Sequence, residues 1–401
     1  MATRPPPPRR GPRSTEPLID DVLREIFLRL PPHDPRGLIR AAAGCKAWRG
    51  IFSDPTFARE YRAFRRAPSM LGFLYDESVT EGLPPLDETY WVSRFLSTAA
   101  FGPQCEDRRN WRVLDSRHGL VLFYTLTMHS EFVVYTPTMH SEFVVCDLVR
   151  GDQWEIDADS DCKGIMWWED DDADFRFDRI RCNAAVLCSS DRCDHLDCHG
   201  GSFRVALVGS DEYGLEAVAT VYSSETEEWS ELISVKNPNY INSIGHSAVV
   251  GNKVYVPCVE HDRLDSVVEY NMGEQKLSVI DAPFEEQDQN QPYLELMGVE
   301  DGMLLFASVV NPRLYLWSMV AGPSGTEGWA RRRVVDLQPS LPSAVLTETS
   351  DVLAVGFAEG FGVIFLRTND GLYRIDINSG EGEKVLERRV EKVTPVVGLL
   401  H

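Results

Sequence analysis

Between residue 68 and residue 401, short apolar runs recur about every 50 residues and are separated by Gly, Asp, Asn and Pro. Short runs bounded by turn-forming residues predict β-strands rather than helices. A repeat of this length with about four strands predicts one blade of a β-propeller, because a single four-stranded sheet cannot cover its own apolar faces. Five repeats can be traced, in residues 113–156, 184–232, 246–280, 296–337 and 352–386.

Two further segments, residues 70–101 and 394–400, together supply the strands of one more repeat. If the last strand pairs with the first, the ring of sheets closes without exposed edges at that junction. We therefore expect an all-β, propeller-like domain over residues 68–401, with five or six blades.

Residues 17–64 have a helical rather than a strand-like pattern. Apolar side chains recur at helical spacing from Val22 to Leu30, and Pro31 ends the pattern. A capping aspartate before a proline then occurs twice, at Asp34 and Asp54, and predicts the start of two more helices. A helical unit this small has more apolar surface than it can bury alone, so the pattern predicts a docking module.

The order of apolar residues in this module resembles the F-box, through which one class of proteins binds the Skp-family adaptor of cullin-RING ubiquitin ligases. The resemblance implies three short helices. It also implies an adaptor-binding surface made by the residues that match the motif: Leu18, Leu23, Ile26, Leu30, Pro31, Leu38 and Trp48. Ile19 departs from the motif, which usually has proline there. An ordinary helical hairpin packed on the rest of the chain is the alternative interpretation.

Together the two parts resemble a family of plant F-box proteins with a propeller-like (kelch-like) F-box-associated domain. Residues 195–209 (HLDCHGGSFRVALVG) and 223–230 (SSETEEWS) carry that likeness. It implies an α+β multidomain protein with the F-box at 17–64 and the propeller at 68–401. Residues 1–14 lack acidic side chains, as organelle transit peptides do, but the run PPPP disfavours an amphipathic helix and favours a disordered Pro/Arg-rich tail over residues 1–16.

The same resemblance implies a function. The chain would be a non-catalytic substrate-receptor subunit of an SKP–cullin–F-box ubiquitin ligase, located in the cytoplasm, the nucleus or both. Its partners would be the Skp-family adaptor, the cullin scaffold and a protein target that the sequence does not identify. The alternative is a stand-alone propeller that binds a glycan or small ligand, or an enzyme with a site at its central channel.

Composition narrows the possible partners. The chain has 62 acidic and 40 basic residues, so its formal net charge is −22. Such a charge repels phosphate groups and argues against binding to nucleic acid or to an anionic membrane. No apolar run approaches the roughly 18 to 20 residues that span a bilayer. Nine cysteines without a dense, regular spacing indicate a reducing compartment.

Motifs for metals, cofactors and catalysis are incomplete. Cysteines and histidines crowd into residues 182–199 but lack paired Cys-x-x-Cys knuckles, which favours a loop over a zinc site. The acidic runs 157–161 and 170–174 begin like calcium loops but lack the glycine and glutamate that complete them. Nucleophile-elbow, phosphate-loop and zinc-helix motifs are missing. We therefore expect no catalytic residue, metal or cofactor.

Aromatic residues in the segments between strands are the predicted target-binding groups, because loops of a rigid scaffold and aromatic anchors commonly form interfaces. They are Trp167, Trp168, Tyr240 and Tyr293. Trp154 and Trp229, each after an acidic turn, are expected to be structural.

The octapeptide TMHSEFVV occurs twice, at 127–134 and 138–145, with an offset of eleven residues. An odd offset exchanges the two faces of a strand, so both copies cannot pair equivalently in one strand. We expect the second copy to form the blade strand and the first to loop out or form an extra hairpin. An artefact of the gene model or of replication is an equally simple explanation.

Overall fold

The computed structural model describes seventeen stretches of the chain and six further residues near the N-terminus. They are residues 20–29, 46–52, 69–81, 88–97, 108–109, 111–129, 138–148, 150–157, 181–189, 201–211, 214–237, 239–260, 263–283, 293–310, 312–321, 327–347 and 351–398, with 54, 56, 57, 60, 61 and 64.

The described strands form six antiparallel sheets, which are the six blades of a propeller. Blade 1 contains β1 (Ser69–Glu81), β2 (Glu88–Ser97), β3 (Arg108–Arg109) and the last strand, β26 (Lys392–Gly398). Blade 2 contains β4 (Trp111–Arg117), β5 (Leu120–His129), β6 (Thr138–Asp147) and β7 (Gln153–Asp157). Blade 3 contains β8 (Cys182–Cys188), β9 (Phe203–Ser210), β10 (Glu216–Ser223), β11 (Glu228–Trp229) and β12 (Ile233–Lys236).

The remaining blades continue in chain order. Blade 4 contains β13 (Tyr240–Ile241), β14 (Ala248–Val250), β15 (Lys253–Glu260), β16 (Arg263–Asn271) and β17 (Lys276–Asp281). Blade 5 contains β18 (Leu294–Glu300), β19 (Met303–Val310), β20 (Arg313–Ala321) and β21 (Glu327–Asp336). Blade 6 contains β22 (Leu353–Ala358), β23 (Val363–Thr368), β24 (Gly371–Asp376) and β25 (Gly382–Leu386).

The ring is closed by the pairing of β26 with β1, in which Phe73 lies opposite Pro395 and Leu74 opposite Thr394. The strand order of blade 1 is β26-β1-β2-β3, so β26 takes the innermost position. It contacts the inner strands of both neighbouring blades, β22 and β4. The predicted closure and the higher of the two predicted blade numbers are confirmed.

The core consists of apolar layers between neighbouring blades, and inner strands such as β1 contribute to two of them. On β1, Phe73 packs towards blade 6, with its ring 5.0 Å from that of Phe365, whereas the next residue, Leu74, packs towards Val121 of blade 2. Successive side chains of a strand point to opposite faces, and here both faces are covered. This is why the strands appear in the sequence as continuous apolar runs.

Two short helices with described bounds lie before the propeller: α1 (Asp20–Leu28) and α2 (Lys46–Phe52). The predicted α+β fold with a three-helix F-box is therefore wrong, because the described residues form a nearly all-β propeller. Helical patterns of nine and seven residues are too short to secure a helical domain by propensity, and such helices depend on tertiary packing. Within the described part, no helix is long and apolar enough to cross a membrane.

The duplicated octapeptide lies in the hairpin of β5 and β6. The second copy is part of β6, as predicted, and the first copy begins at the end of β5. Thr127 lies opposite His140 and His129 opposite Thr138, so the two copies start on facing strands. Residues 130–137 lie outside the described part.

Candidate functional site

The helix α1 has one buried and one exposed apolar face. Leu23 and Phe27 are buried, with 6% and 3% of their surface exposed, whereas Val22 and Ile26 are each 45% exposed. The two members of each pair are four residues apart and so lie one above the other on the helix. Ile26, one of the predicted adaptor-binding residues, is therefore accessible to a partner.

The buried face of α1 packs within the N-terminal segment. Leu23 and Phe27 form a cluster with Ile51, Phe57 and Tyr61, and this cluster includes no described residue of the propeller. The Phe27 ring lies 5.4 Å from that of Trp48 in an edge-to-face arrangement. Leu23 and Trp48 were predicted to bind the adaptor, and here they hold the segment together.

Ion pairs connect α1 to the segment after α2. The Arg24 guanidinium bonds to the carboxylates of Asp54 and Glu60. The backbone N–H of Thr56, together with Arg24, lowers the pKa of Asp54 below its usual value. These groups are partly exposed, so water screens both pairs and neither adds much to the stability of the segment. Four other predicted adaptor-binding residues lie outside the described part: Leu18, Leu30, Pro31 and Leu38.

Of the predicted target-binding aromatics, the structure describes two. Tyr293 lies just before β18 and is 53% exposed. Tyr240, in β13, is 36% exposed, and the Arg181 guanidinium lies 3.6 Å from its ring centroid. Gly214, with φ of +66°, packs against the ring at Cε1, where a side chain would overlap it. Trp167 and Trp168 lie outside the described part, in the connection between β7 and β8.

The centre of the propeller holds a charged network that sequence reasoning missed. Arg117, at the end of β4, bonds to Asp115 at 3.0 Å, to Glu359 of blade 6 at 3.2 Å and to the Ser247 carbonyl oxygen at 3.0 Å. Its guanidinium therefore joins blade 2 to blades 4 and 6. Only 13% of the Arg117 side chain is exposed.

Residues 245–247, just before β14, form further hydrogen bonds with the inner strands of other blades. Lys392 of β26 donates to the carbonyl oxygens of Leu114, at 3.0 Å, and Gly245, at 3.1 Å. Asn183 of β8 also donates to the Gly245 carbonyl oxygen, at 2.8 Å, and Nε2 of His246 lies 3.0 Å from the Val355 carbonyl oxygen. These hydrogen bonds connect the innermost strands of several blades to one another across the ring.

Burial shifts the pKa values of three groups near the centre. Desolvation, opposed by the Asp76 charge, lowers the pKa of Lys392 to about 8. Desolvation and the Lys392 charge lower the pKa of His246 to about 3. Desolvation raises the pKa of Glu295, on β18, to about 7, against the opposing charge of Arg367. His246 is therefore neutral at pH 7.

A groove of about 740 Å³ lies between blades 5 and 6. One wall is the end of β21 with the segment that follows it, and the other is the turn between β24 and β25. Arg333 crosses the groove and donates to the Ile377 carbonyl oxygen, at 3.0 Å, and to Oδ1 of Asn378, at 2.9 Å.

The predicted loop of cysteines and histidines is only partly described. Cys182 is buried within β8, and Cys188 ends that strand. The other cysteines and histidines of 182–199 lie outside the described part, as do the acidic residues between 158 and 180. Among the residues that can be assessed, no three potential metal ligands come together.

No protein-family model and no curated protein matches this chain. Among solved structures, the β-propeller domain of the Trilobed protease from Pyrococcus furiosus is similar with a TM-score of 0.39 and 10% identity, over 80% of this chain and 95% of that one. Pyrococcus horikoshii acylaminoacyl peptidase has a TM-score of 0.37 and 11% identity, over 82% of this chain and 47% of that one. Trypanosoma rangeli sialidase has a TM-score of 0.34 and 12% identity, over 82% and 53%.

This chain thus spans about half the length of the peptidase and the sialidase. At these identities the similarity concerns the fold alone. We correct the expectation that the protein is not an enzyme, because it rested only on the absence of short sequence motifs. Catalytic groups from separate blades leave no short motif in a sequence, so we withdraw the exclusion of catalysis.

Proposed function

We propose that this chain is the substrate receptor of an SKP–cullin–F-box ubiquitin ligase, with residues 17–64 binding the Skp-family adaptor and the propeller binding a protein target. The observation that carries the proposal is the exposure of Val22 and Ile26, each 45% exposed, beside a filled apolar cluster. Because Leu23 and Phe27 already fill the inner face of α1, the outer face is available to another protein.

The mechanism follows from geometry. The adaptor would connect α1 to the cullin scaffold, and the propeller would hold a target near the ubiquitin-charged enzyme. Proximity raises the effective concentration of target lysines at that enzyme. Tyr240 and Tyr293, with Trp167 and Trp168, are the proposed target-binding groups. The proposed location is the cytoplasm, the nucleus or both.

A second candidate function is that of a stand-alone propeller that binds a glycan or small ligand. The groove of about 740 Å³ between blades 5 and 6 favours it, because its size is within the usual range of small-molecule sites. This alternative needs no adaptor, so adaptor binding distinguishes the two.

The test is co-purification of the full chain with a Skp-family adaptor. We expect Val22→Asp combined with Ile26→Asp to abolish binding, because two charges would be buried in an apolar interface. The melting temperature should change little, since both side chains are exposed. Leu215→Asp is the matched control, because Leu215 is 63% exposed on the propeller. Retention of the adaptor by the double variant would refute the proposed role of α1.

A further inference from the structure

The outer strand of blade 5 is unusual among the described outer strands. β21 has ten residues, whereas β7 has five, β17 six and β25 five. In the described part it pairs on one side only, with β20. The pairing with β20 shifts register between Trp317–Arg331 and Leu316–Arg333, so Arg332 is the extra residue of a β-bulge. Before and after this bulge, the other edge of β21 offers backbone donors and acceptors that can pair with an added strand.

The same strand carries a basic run, Arg331-Arg332-Arg333, in a chain of net charge −22. Arg331 and Arg332 are exposed. Arg331 lies over the rings of Tyr315 and Trp317, with its guanidinium 5.6 Å and 5.9 Å from their centroids.

The other two arginines of the run also have no acidic partner among the described residues. Nη1 of Arg332 lies 3.6 Å from Sδ of Met303, and Arg333 bonds to the turn of blade 6. Within the described residues, none of the three arginines forms an ion pair with a carboxylate, although acidic side chains are in excess over the chain as a whole.

The groove between blades 5 and 6 continues from this edge. Arg333 lines it, and Val334, 45% exposed, lies beside that arginine on β21. The groove also contains two acidic side chains, Asp336 and Glu381. A bound segment would therefore place its negative charges along Arg331 and Arg332 and turn a neutral end towards the groove.

We propose that β21 is the docking edge for an extended acidic segment of a partner protein. The segment would add a strand to blade 5 through backbone hydrogen bonds and place alternate carboxylates against the arginines, in charge-assisted bonds. The acidic nature of the bound segment is inferred from charge complementarity. The three arginines form a basic edge on a chain of net charge −22, and such an edge attracts negatively charged side chains of a partner. The inference goes beyond the proposed ligase role, since it holds whether or not the chain binds an adaptor.

The test uses the purified full chain and fluorescence anisotropy with three labelled ten-residue peptides. The first alternates Thr and Glu, the second alternates Thr and Gln, and the third alternates Pro and Glu. The third keeps the charge but loses the backbone donors at its proline positions. We expect saturable binding of the first peptide alone. Equal binding of the second or the third, or no binding of the first up to about 1 mM, would overturn the proposal.

Two double variants locate the site. Arg331→Gln with Arg332→Gln should weaken binding of the Thr-Glu peptide about tenfold, since two exposed charge pairs are lost. Arg49→Gln with Lys236→Gln removes the same charge from exposed positions on α2 and on β12 of blade 3 and should leave the affinity unchanged. Equal weakening by both double variants would show that net charge alone attracts the peptide and would refute a site on β21. A single-stranded DNA that binds with the same dependence on Arg331 and Arg332 would also refute it.

Discussion

Trp329, on the outer strand of blade 5, donates its indole N–H to the carbonyl oxygen of Asp281, the last residue of the outer strand of blade 4, at 2.8 Å. The same contact recurs between blades 3 and 2, where the Trp229 indole donates to the Asp157 carbonyl oxygen at 3.0 Å. The outer strands of neighbouring blades are thus joined at two places by the same type of hydrogen bond, from an indole N–H to a backbone carbonyl oxygen. The prediction that Trp229 is structural is confirmed.

We expect Trp329→Phe and Trp229→Phe each to lower the free energy of unfolding by about 1 to 2 kcal/mol. Each removes one hydrogen bond, worth about 1 kcal/mol, and part of an aromatic contact. Urea unfolding monitored by circular dichroism measures the change. Tyr293→Phe is the control and should cost less than about 0.5 kcal/mol, because Tyr293 is 53% exposed. Unchanged stability in both tryptophan variants would mean that the rim contacts do not hold the blades.

At the centre, we expect Arg117→Met to lower the free energy of unfolding by about 3 to 5 kcal/mol. The change leaves the Asp115 carboxylate, whose side chain is 8% exposed, without its cationic partner. Arg374→Met, which breaks the exposed pair between Arg374 and Glu383, should cost less than about 1 kcal/mol. Thermal or urea unfolding of the two variants compares them directly. Equal effects would show that the central network is no more stabilising than a surface pair.

The pH dependence of stability should report on His246. Its folded pKa of about 3 lies below the unfolded value near 6.5, so the unfolded chain binds more protons between these values. Stability should therefore rise with pH through this window and be lost on acidification.

Replacement of His246 by Gln removes the contribution of this imidazole to the pH dependence of stability. Between pH 7 and pH 4, the wild-type protein should lose about 2 to 3 kcal/mol more stability than His246→Gln. Glu295 titrates in the same window with the opposite sign, but it is present in both proteins and cancels in the difference. Urea midpoints at several pH values give the two profiles. Parallel profiles would contradict the assignment.

The strands could be predicted from the sequence because each one is marked by a local pattern of apolar residues. Runs such as 70–75 alternate between two buried layers, and both layers are apolar, so the pattern marks each strand without knowledge of its neighbours. The central network is different. Arg117 meets Ser247 and Glu359 across 130 and 242 residues of sequence, and no periodicity connects them.

The N-terminal segment shows a second limit. A motif match treats Leu23 and Ile26 alike, although the helix buries one and exposes the other. The face of a helix that meets its own core is decided by partners from elsewhere in the chain, here Ile51, Phe57 and Tyr61. The run Arg331-Arg332-Arg333 is plain in the sequence, but only the structure shows that it lies on an outer strand, where a partner can reach it.

The duplicated octapeptide permits a matched pair of deletions. Removal of residues 127–137 joins Leu126 to Thr138 and keeps every pair from Leu120 with Asp147 to Leu126 with Ser141. Thr138, Met139 and His140 then form a three-residue hairpin loop, a common length. We expect the melting temperature to fall by less than about 3 °C.

Removal of residues 138–148 gives a chain of the same length that differs only in three residues, with Tyr-Thr-Pro in place of Cys146-Asp147-Leu148. Cys146 and Leu148 are buried between blades 1 and 2, and the Asp147 side chain accepts a bond from the Arg150 backbone N–H at 3.0 Å. This deletion should lower the melting temperature by more than about 10 °C, because buried apolar groups and a turn contact are lost together. Differential scanning calorimetry of the two deletion variants measures both melting temperatures. Similar large losses in both would show that residues 127–137 are an integral part of the blade, and similar small losses would show that the turn after β6 contributes little.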